Sequence, residues 1–279
     1  MQPADILFAV RLTNGEKWGV TRADLQRLMR LNPRGCFVAY DGTRKVGITT
    51  TTAYEQKLAW IGNVIVHRKY RGRHIGRALV EQATLHLQKT GVKHIALYCY
   101  REQMSFYENL GFMRDKPFLR LRRNAAKVDR PRKESSFQRS PSMVELLAAD
   151  MHAFGADRSK LIRAVLADDA GWILGSSRGV SSTSYLMVKE SADECELGPW
   201  ICLNPSRNEP NRMMHQALIR VGNVPVEVGC LLDNQPAMRT LRMNGFQMIR
   251  EGYRMFFQEK GAKIGDDDAQ YGLGFLDKG

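Results

Sequence analysis

Residues 71–78 read RGRHIGRA, directly after the apolar run 59–66 and at the head of an amphipathic segment, 75–90. Arg71, Arg73 and Arg77 bring fixed positive charge. Gly72 breaks the turn, and Gly76, one turn further on, leaves room for a bulky anion to reach the backbone. A strand that empties into a basic glycine turn and then a helix aims backbone N–H groups and a positive helix end at one point. That is the chemistry of a phosphate cradle.

The flanking pattern supplies the elements such a cradle needs. A strand is expected over 58–67 and a helix over 75–90, where Ile75, Leu79, Val80, Ala83 and Leu87 form one apolar face and Gly91 closes the end. Upstream, 6–12 reads as a short strand. Thr21 caps a helix over 22–31, with Asp24 in the capping-box place and Asn32-Pro33 ending it. Segments 36–40 and 45–53 alternate like paired strands about Asp41-Gly42. Downstream come a strand at 92–100, a short helix at 102–110 and a strand at 118–122. The expected order is strand, helix, three strands, helix, strand, helix, strand, an α/β chain with a mixed sheet.

The stretch WIGNVIVHRKYRGRHIGRALVEQA, residues 60–83, resembles the acetyl-CoA-binding core of the GNAT family of N-acetyltransferases. That family's turn reads Gln/Arg-x-x-Gly-x-Gly/Ala, and Arg73, Gly76 and Ala78 occupy those places. SFYENLGF, residues 105–112, is similar to the family's Tyr-x-x-x-Gly-Phe segment. The resemblance implies a twisted mixed sheet with helices on both faces. It implies a coenzyme A site at Arg71, Gly72, Arg73, His74, Ile75, Gly76, Arg77 and Ala78, together with the backbone of Val64, Ile65 and Val66. In this fold the fourth strand splays from the fifth, and its free backbone pairs with the pantetheine arm. An N–H near Val66 would polarise the thioester carbonyl, and Tyr107 would act as the catalytic acid. Tyr100 stands where the family often has Asn, seven residues before that tyrosine, which weakens one cofactor contact. The general base stays open: 58–67 holds no Asp or Glu, Glu55 precedes it, His67 ends it beside the phosphate turn, and ordered water is the other candidate.

The second half resembles a worn copy, as in two-domain acetyltransferases. Helices are expected at 144–152, 158–167 and 211–220, and strands at 171–175, 184–189, 197–203 and 225–232. DNQPAMRTLRMNGF, residues 233–246, repeats the Gly-Phe ending, and Asn234 and Ala237 fit an Asn-x-x-Ala lead-in. NPSRNEPNRMM, 204–214, has no glycine, and its Glu209 would repel phosphate; Leu241 replaces the tyrosine. The expected organisation is a GNAT domain at 1–125, a basic linker at 126–141, a degenerate GNAT-like domain at 142–260 and a flexible tail at 261–279, with one complete cofactor site in the first domain. The second domain would shape the acceptor pocket or act as a buttress.

The chain carries a net charge of +13, with many of its cations at 114–139. No aromatic ladder or recognition-helix motif accompanies them, so nucleic acid is disfavoured as a partner. The five cysteines are scattered without a C-x-x-C pair, which argues against zinc and against a disulfide framework; Cys36, Cys99, Cys202 and Cys230 sit in apolar runs as buried thiols. No metal is expected. No apolar run reaches membrane-spanning length and MQPADILFAV lacks a signal pattern, so a cytoplasmic protein is expected. The leading expectation is an acetyl-CoA-dependent N-acetyltransferase acting on the primary amine of a small molecule. The alternatives are a protein lysine or N-terminal acetyltransferase and a non-catalytic acyl-CoA sensor or scaffold.

Overall fold

The computed structural model describes residues 1–127, 139–168, 171–191 and 194–279. The chain forms two compact units, and neither is continuous in sequence. Unit 1 holds Met1–Asp115, Arg254–Ala262 and Leu276–Gly279; unit 2 holds Lys116–Tyr253 and Lys263–Phe275.

Unit 1 opens with two helices, α1 (Ile6–Asn14) and α2 (Arg22–Leu31). The expected strand at 6–12 is therefore a helix. Its buried positions are Ile6, Ala9 and Thr13, which share one helical face, and a short apolar run cannot reveal that spacing by itself. α2 starts as expected: Thr21 Oγ1 accepts the Asp24 N–H at 3.1 Å and the Asp24 carboxylate accepts the Thr21 N–H at 2.9 Å. The sheet follows as β1 (Cys36–Asp41), β2 (Arg44–Tyr54) and β3 (Leu58–Val66), antiparallel in order. The crossover helix α3 (Ile75–Lys89) buries Leu79, Val80, Ala83 and Leu87 and leads to β4 (His94–Tyr100), which runs parallel to β3. A parallel neighbour requires such a crossover. Then come α4 (Met104–Glu108) and β5 (Phe112–Arg123), whose chain passes into unit 2 at Lys116. Residues 254–262 return to unit 1: Met255 Sδ lies 3.3 Å from Cys99 Sγ, His94 Nδ1 lies 2.7 Å from Glu259 Oε2, and the Gln258 N–H donates to the Gly111 carbonyl at 2.8 Å.

Unit 2 repeats the scheme. α5 (Met143–Phe154) and α6 (Ser159–Ala167) precede β6 (Gly171–Ser177), β7 (Thr183–Glu190) and β8 (Cys195–Cys202), an antiparallel series. α7 (Glu209–Val221) crosses over to β9 (Val226–Leu231), parallel to β8, and residues 118–123 of β5 lie antiparallel on β9. α8 (Gln235–Met243), residues 247–253 of β10 (Gln247–Phe257) and β11 (Gln270–Gly272) complete it. Its core gathers Leu197, Trp200, Met213, Met214, Met238 and Leu241. Each such side chain stabilises by about 1.5–3 kcal/mol through burial.

The segment expected to be a flexible tail is built into both units. β11 pairs with β8, Tyr271, Leu273 and Phe275 are buried, and Asn234 Nδ2 donates to the carbonyls of Asp267, Asp268 and Gln270. The alternating Tyr271, Leu273 and Phe275 were the missed strand signal; the neighbouring Asp266–Asp268 run suggested solvent instead. Most of the expected basic linker, 128–138, lies outside the described residues.

Candidate active site

β3 and β4 pair at only three places, Leu58↔His94, Ala59↔Ile95 and Trp60↔Ala96. Beyond Trp60 the two strands part. Just past that point β3 carries a bulge: the pairing with β2 slips between Ile48↔Ile65 and Thr50↔Gly62, and Asn63 takes the left-handed conformation, φ 50°. Asn63 Nδ2 donates to Thr50 Oγ1 at 3.0 Å and so pins the bulge. Val64, Ile65 and Val66 follow it, held by β2 along one edge and without a registered β4 partner along the other.

The turn after β3 is held from several sides. His67 Nδ1 accepts the Lys69 N–H at 3.3 Å, so His67 caps the turn. Arg71 Nε donates to the Val66 carbonyl at 3.0 Å, and Glu16 accepts from Arg71 at 2.8 Å and from Arg68 at 3.0 Å. Those two arginines hold the Glu16 carboxyl below its ordinary pKa. Gly72 (φ 76°) and His74 (φ 59°) adopt left-handed geometry, and α3 begins at Ile75. The first helical bond runs from the Ala78 N–H to the His74 carbonyl, which leaves the N–H groups of Ile75, Gly76 and Arg77 without an acceptor in the helix. A side chain at Gly72 would meet no atom within 4 Å, and the nearest atoms to one at Gly76 would be those of Phe106 and Val66, at 3.5 Å and beyond. The space before α3 is therefore an open cradle of N–H groups, which fits a pyrophosphate. Of the three arginines, Arg77 donates to the Asn109 carbonyl at 3.1 Å and Arg71 is tied to Glu16. Arg73 is the most loosely held: its guanidinium lies over Tyr70 and 3.9 Å from Asp41, with 62% of the side chain exposed.

Tyr107 sits on α4 and is buried, edge-on to Phe106 (centroids 4.9 Å apart) and to Phe112 (6.0 Å). Burial pushes its hydroxyl above the ordinary phenol range, with Cys99 adding to the shift, so it stays protonated at neutral pH. Tyr100 ends β4, half-buried. Glu55 is exposed in the β2–β3 turn. The five thiols are buried and unbridged, and burial pushes Cys36 and Cys195 up to about 11 and Cys230 up to about 12, so these three are no nucleophiles at neutral pH. Among the described residues, no three His, Cys, Asp or Glu groups gather to hold a metal, and no helix is long and apolar enough to cross a membrane.

Unit 2 has the same frame with its openings filled. β8 and β9 also pair at three places and part after Leu197↔Val228. There β11 lies along β8, and the Leu273 N–H donates to the Gly229 carbonyl of β9 at 2.8 Å. This segment occupies the gap that is open in unit 1. At the head of α7, the Glu209 carboxylate accepts the Ser206 N–H at 3.1 Å, so the start of this helix already holds an internal anion. Leu241 is fully buried at the position equivalent to Tyr107, and the following turns match bond for bond: Leu110 N–H to Tyr107 and Gly111 N–H to Glu108, against Asn244 N–H to Leu241 and Gly245 N–H to Arg242. Sequence reasoning singled out the turn before α3, Tyr107 and a second GNAT-like half; the structure places the first two in unit 1, on either side of α3 and β4. Sequence reasoning missed Glu16, Asn63 and the role of 270–273, whose partners are far away in the chain.

Two family profiles, each described as an acetyltransferase (GNAT) domain, match residues 32–114 and 146–272. The chain belongs to the GNAT acetyltransferase family and carries that domain twice. A solved structure from Pyrococcus horikoshii superposes over 100% of this chain and 94% of its own, with a TM-score of 0.82 at 20% identity. A tandem GNAT protein from the clavulanic acid biosynthesis pathway superposes over 89% and 93%, with a TM-score of 0.59 at 14% identity. An uncharacterized N-acetyltransferase, ycf52, from Porphyra purpurea is 30% identical over 73 residues, which span 26% of this chain and 42% of that protein. The chain thus matches less than half the length of this curated relative.

Proposed function

We propose that the protein transfers an acetyl group from acetyl-CoA to the primary amine of a small molecule, with the chemistry in unit 1. The observation that carries this reading is the parting of β3 and β4 after Trp60↔Ala96, directly beside the open N–H cradle of α3. A strand edge free at Val64, Ile65 and Val66 suits the amide-bearing pantetheine arm, as an added strand would. The N–H groups of Ile75, Gly76 and Arg77, the glycine backbone at Gly72 and the charge of Arg73 suit the phosphates. Acetyl-CoA supplies an activated thioester whose carbonyl is open to attack by a neutral amine.

Tyr107 assists the departing sulfur. A thiol has a pKa near about 8.5, whereas this buried phenol is raised above about 10. Complete proton transfer from Tyr107 is therefore uphill, so it stabilises the sulfur as a hydrogen-bond donor while the proton arrives from the amine. A small acceptor is favoured over an extended peptide because residues 276–279 already lie across β3, with Asp277 against Gly62 and Gly279 against Trp60.

Calorimetric titration with acetyl-CoA, followed by a thiol-release screen over primary amines, tests the reading. Binding with turnover on one amine class is expected. Absence of binding overturns it, and binding without turnover on any small amine overturns the acceptor assignment.

A further inference from the structure

Unit 1 holds a lysine amine beside its own parted strands, on the sheet face opposite α3. α3 covers one face of the sheet, where a side chain at Gly47 would touch Leu79; α1 and α2 cover the other, where Ile48 and Ile65 join Ile6, Leu25 and Leu28. Side chains alternate along β2, so Ile48, Thr50, Thr52 and Tyr54 share this second face, and their pairing with β3 puts Gly62 and Trp60 on it too. Residues 276–279 lie there. The Asp277 backbone fills the space left by the missing side chain of Gly62, the Tyr54 hydroxyl donates to the Lys278 carbonyl, and Gly279 abuts the Trp60 ring. Trp60 in turn stacks on Tyr98 of β4, centroids 4.5 Å apart, at the place where the strands separate.

The amine is held by a carboxylate. Lys278 Nζ lies 2.6 Å from Asp277 Oδ1 and 2.7 Å from Oδ2, with only 5% of the lysine side chain exposed. Asp277 Oδ2 also accepts from Asn63 Nδ2 at 2.8 Å, the amide that pins the bulge next to Val64. A buried ammonium is costly unless paired, and this one is paired with a carboxylate anchored to the bulge that precedes the open strand edge. The second unit offers a contrast: its segment 270–273 fills the parted strands, whereas in unit 1 the segment stays on one face and presents an amine.

We propose that Lys278 is an intramolecular acceptor and that unit 1 acetylates its Nζ. This rests on the acetyl-CoA reading above. Lys278 reacts as the neutral amine, its ammonium having lost one proton to water, while the Asp277 carboxylate holds the nitrogen in place. The neutral Nζ then forms a bond to the thioester carbonyl carbon, and the carbon–sulfur bond breaks. The departing thiolate takes a second proton from nitrogen, leaving a neutral amide and free coenzyme A thiol.

The test is peptide mass spectrometry of the full chain incubated with acetyl-CoA bearing a heavy acetyl group, beside a parallel sample treated with acetic anhydride alone. Lys17, Lys89 and Lys93, all exposed, are the internal references. The expected result is a reversal of order. Lys278 reacts more slowly than the references with the anhydride, because it is buried, yet at least tenfold faster with acetyl-CoA. Its rate should not change with protein concentration, and Asp277→Asn should slow it at least tenfold while acetyl-CoA binding, followed by calorimetry, persists. Binding of acetyl-CoA with no preference for Lys278 overturns the proposal and leaves the functional reading standing. Labelling that rises with protein concentration overturns the intramolecular step. Absence of acetyl-CoA binding overturns both.

Discussion

A methyl group placed on Gly76 would meet the Phe106 ring and Val66 first, in ordinary van der Waals contact. Gly76→Ala should therefore fold normally and weaken acetyl-CoA binding less than about tenfold, whereas Gly76→Glu brings a carboxylate to the phosphates and should abolish binding by calorimetry, a loss beyond about 3 kcal/mol. Equal affinity in the two variants would move the phosphates elsewhere. If Tyr107 has the role proposed above, Tyr107→Phe should lower kcat by about 10- to 100-fold and leave the acetyl-CoA Kd within a few-fold, because a donor to the departing sulfur acts only as charge develops there. Residue types drew attention to both of these positions. They did not announce Glu16, because an acid on the turn between two helices has no meaning until folding brings it to Arg68 and Arg71, more than fifty positions away. Asp277 was hidden in the same way: its partner at the β3 bulge, Asn63, lies in a distant part of the chain.

Elements were legible where local chemistry defines them. Thr21 with Asp24 marked the start of α2 correctly, and Thr21→Ala should cost about 1 kcal/mol in chemical denaturation. At α5, the Ser142 N–H, then Arg139 and the Ser142 hydroxyl, hold the Glu145 carboxyl down at about 2, against an ordinary value of 4.5. A depressed carboxyl stabilises the fold above its unfolded value and loses that contribution as pH falls. Glu145→Gln should therefore be less stable than the parent at neutral pH, with the gap closing between about pH 4.5 and pH 2 in urea melts. The elements that were misread lack such markers. α1 looked like a strand because its apolar residues run together, and β11 was missed because three acidic residues precede it. The fit of β11 is nonetheless tight: Gly198 has φ 138°, and any Cβ there would strike the Leu273 carbonyl. Gly198→Ala should cost about 3 kcal/mol or more, while Gly222→Ala, also at positive φ but in open space, should cost about 1 kcal/mol.

At the scale of the whole chain, two similar halves were visible in the repeated Gly-Phe turns, but their boundaries were not. The polypeptide passes from one unit to the other and back, with unit 1 completed by residues 254–262 and 276–279. Hydrophobic patterning identifies which residues are buried and does not say in which unit. A fragment of residues 1–125 lacks Met255 beside Cys99 and Glu259 beside His94, so it should show neither cooperative thermal unfolding nor acetyl-CoA binding. A fragment that does both would make the later segments dispensable. The interleaving also sets an order of events during synthesis. Unit 1 emerges from the ribosome first and cannot finish until residue 254 and beyond have been made. At about 5–20 residues per second that delay is on the order of ten seconds. Throughout it, β4 lacks the contacts that Met255 and Glu259 bring to Cys99 and His94, so unit 1, whose first strands are made early, matures only after residues 254–262 and 276–279 have followed.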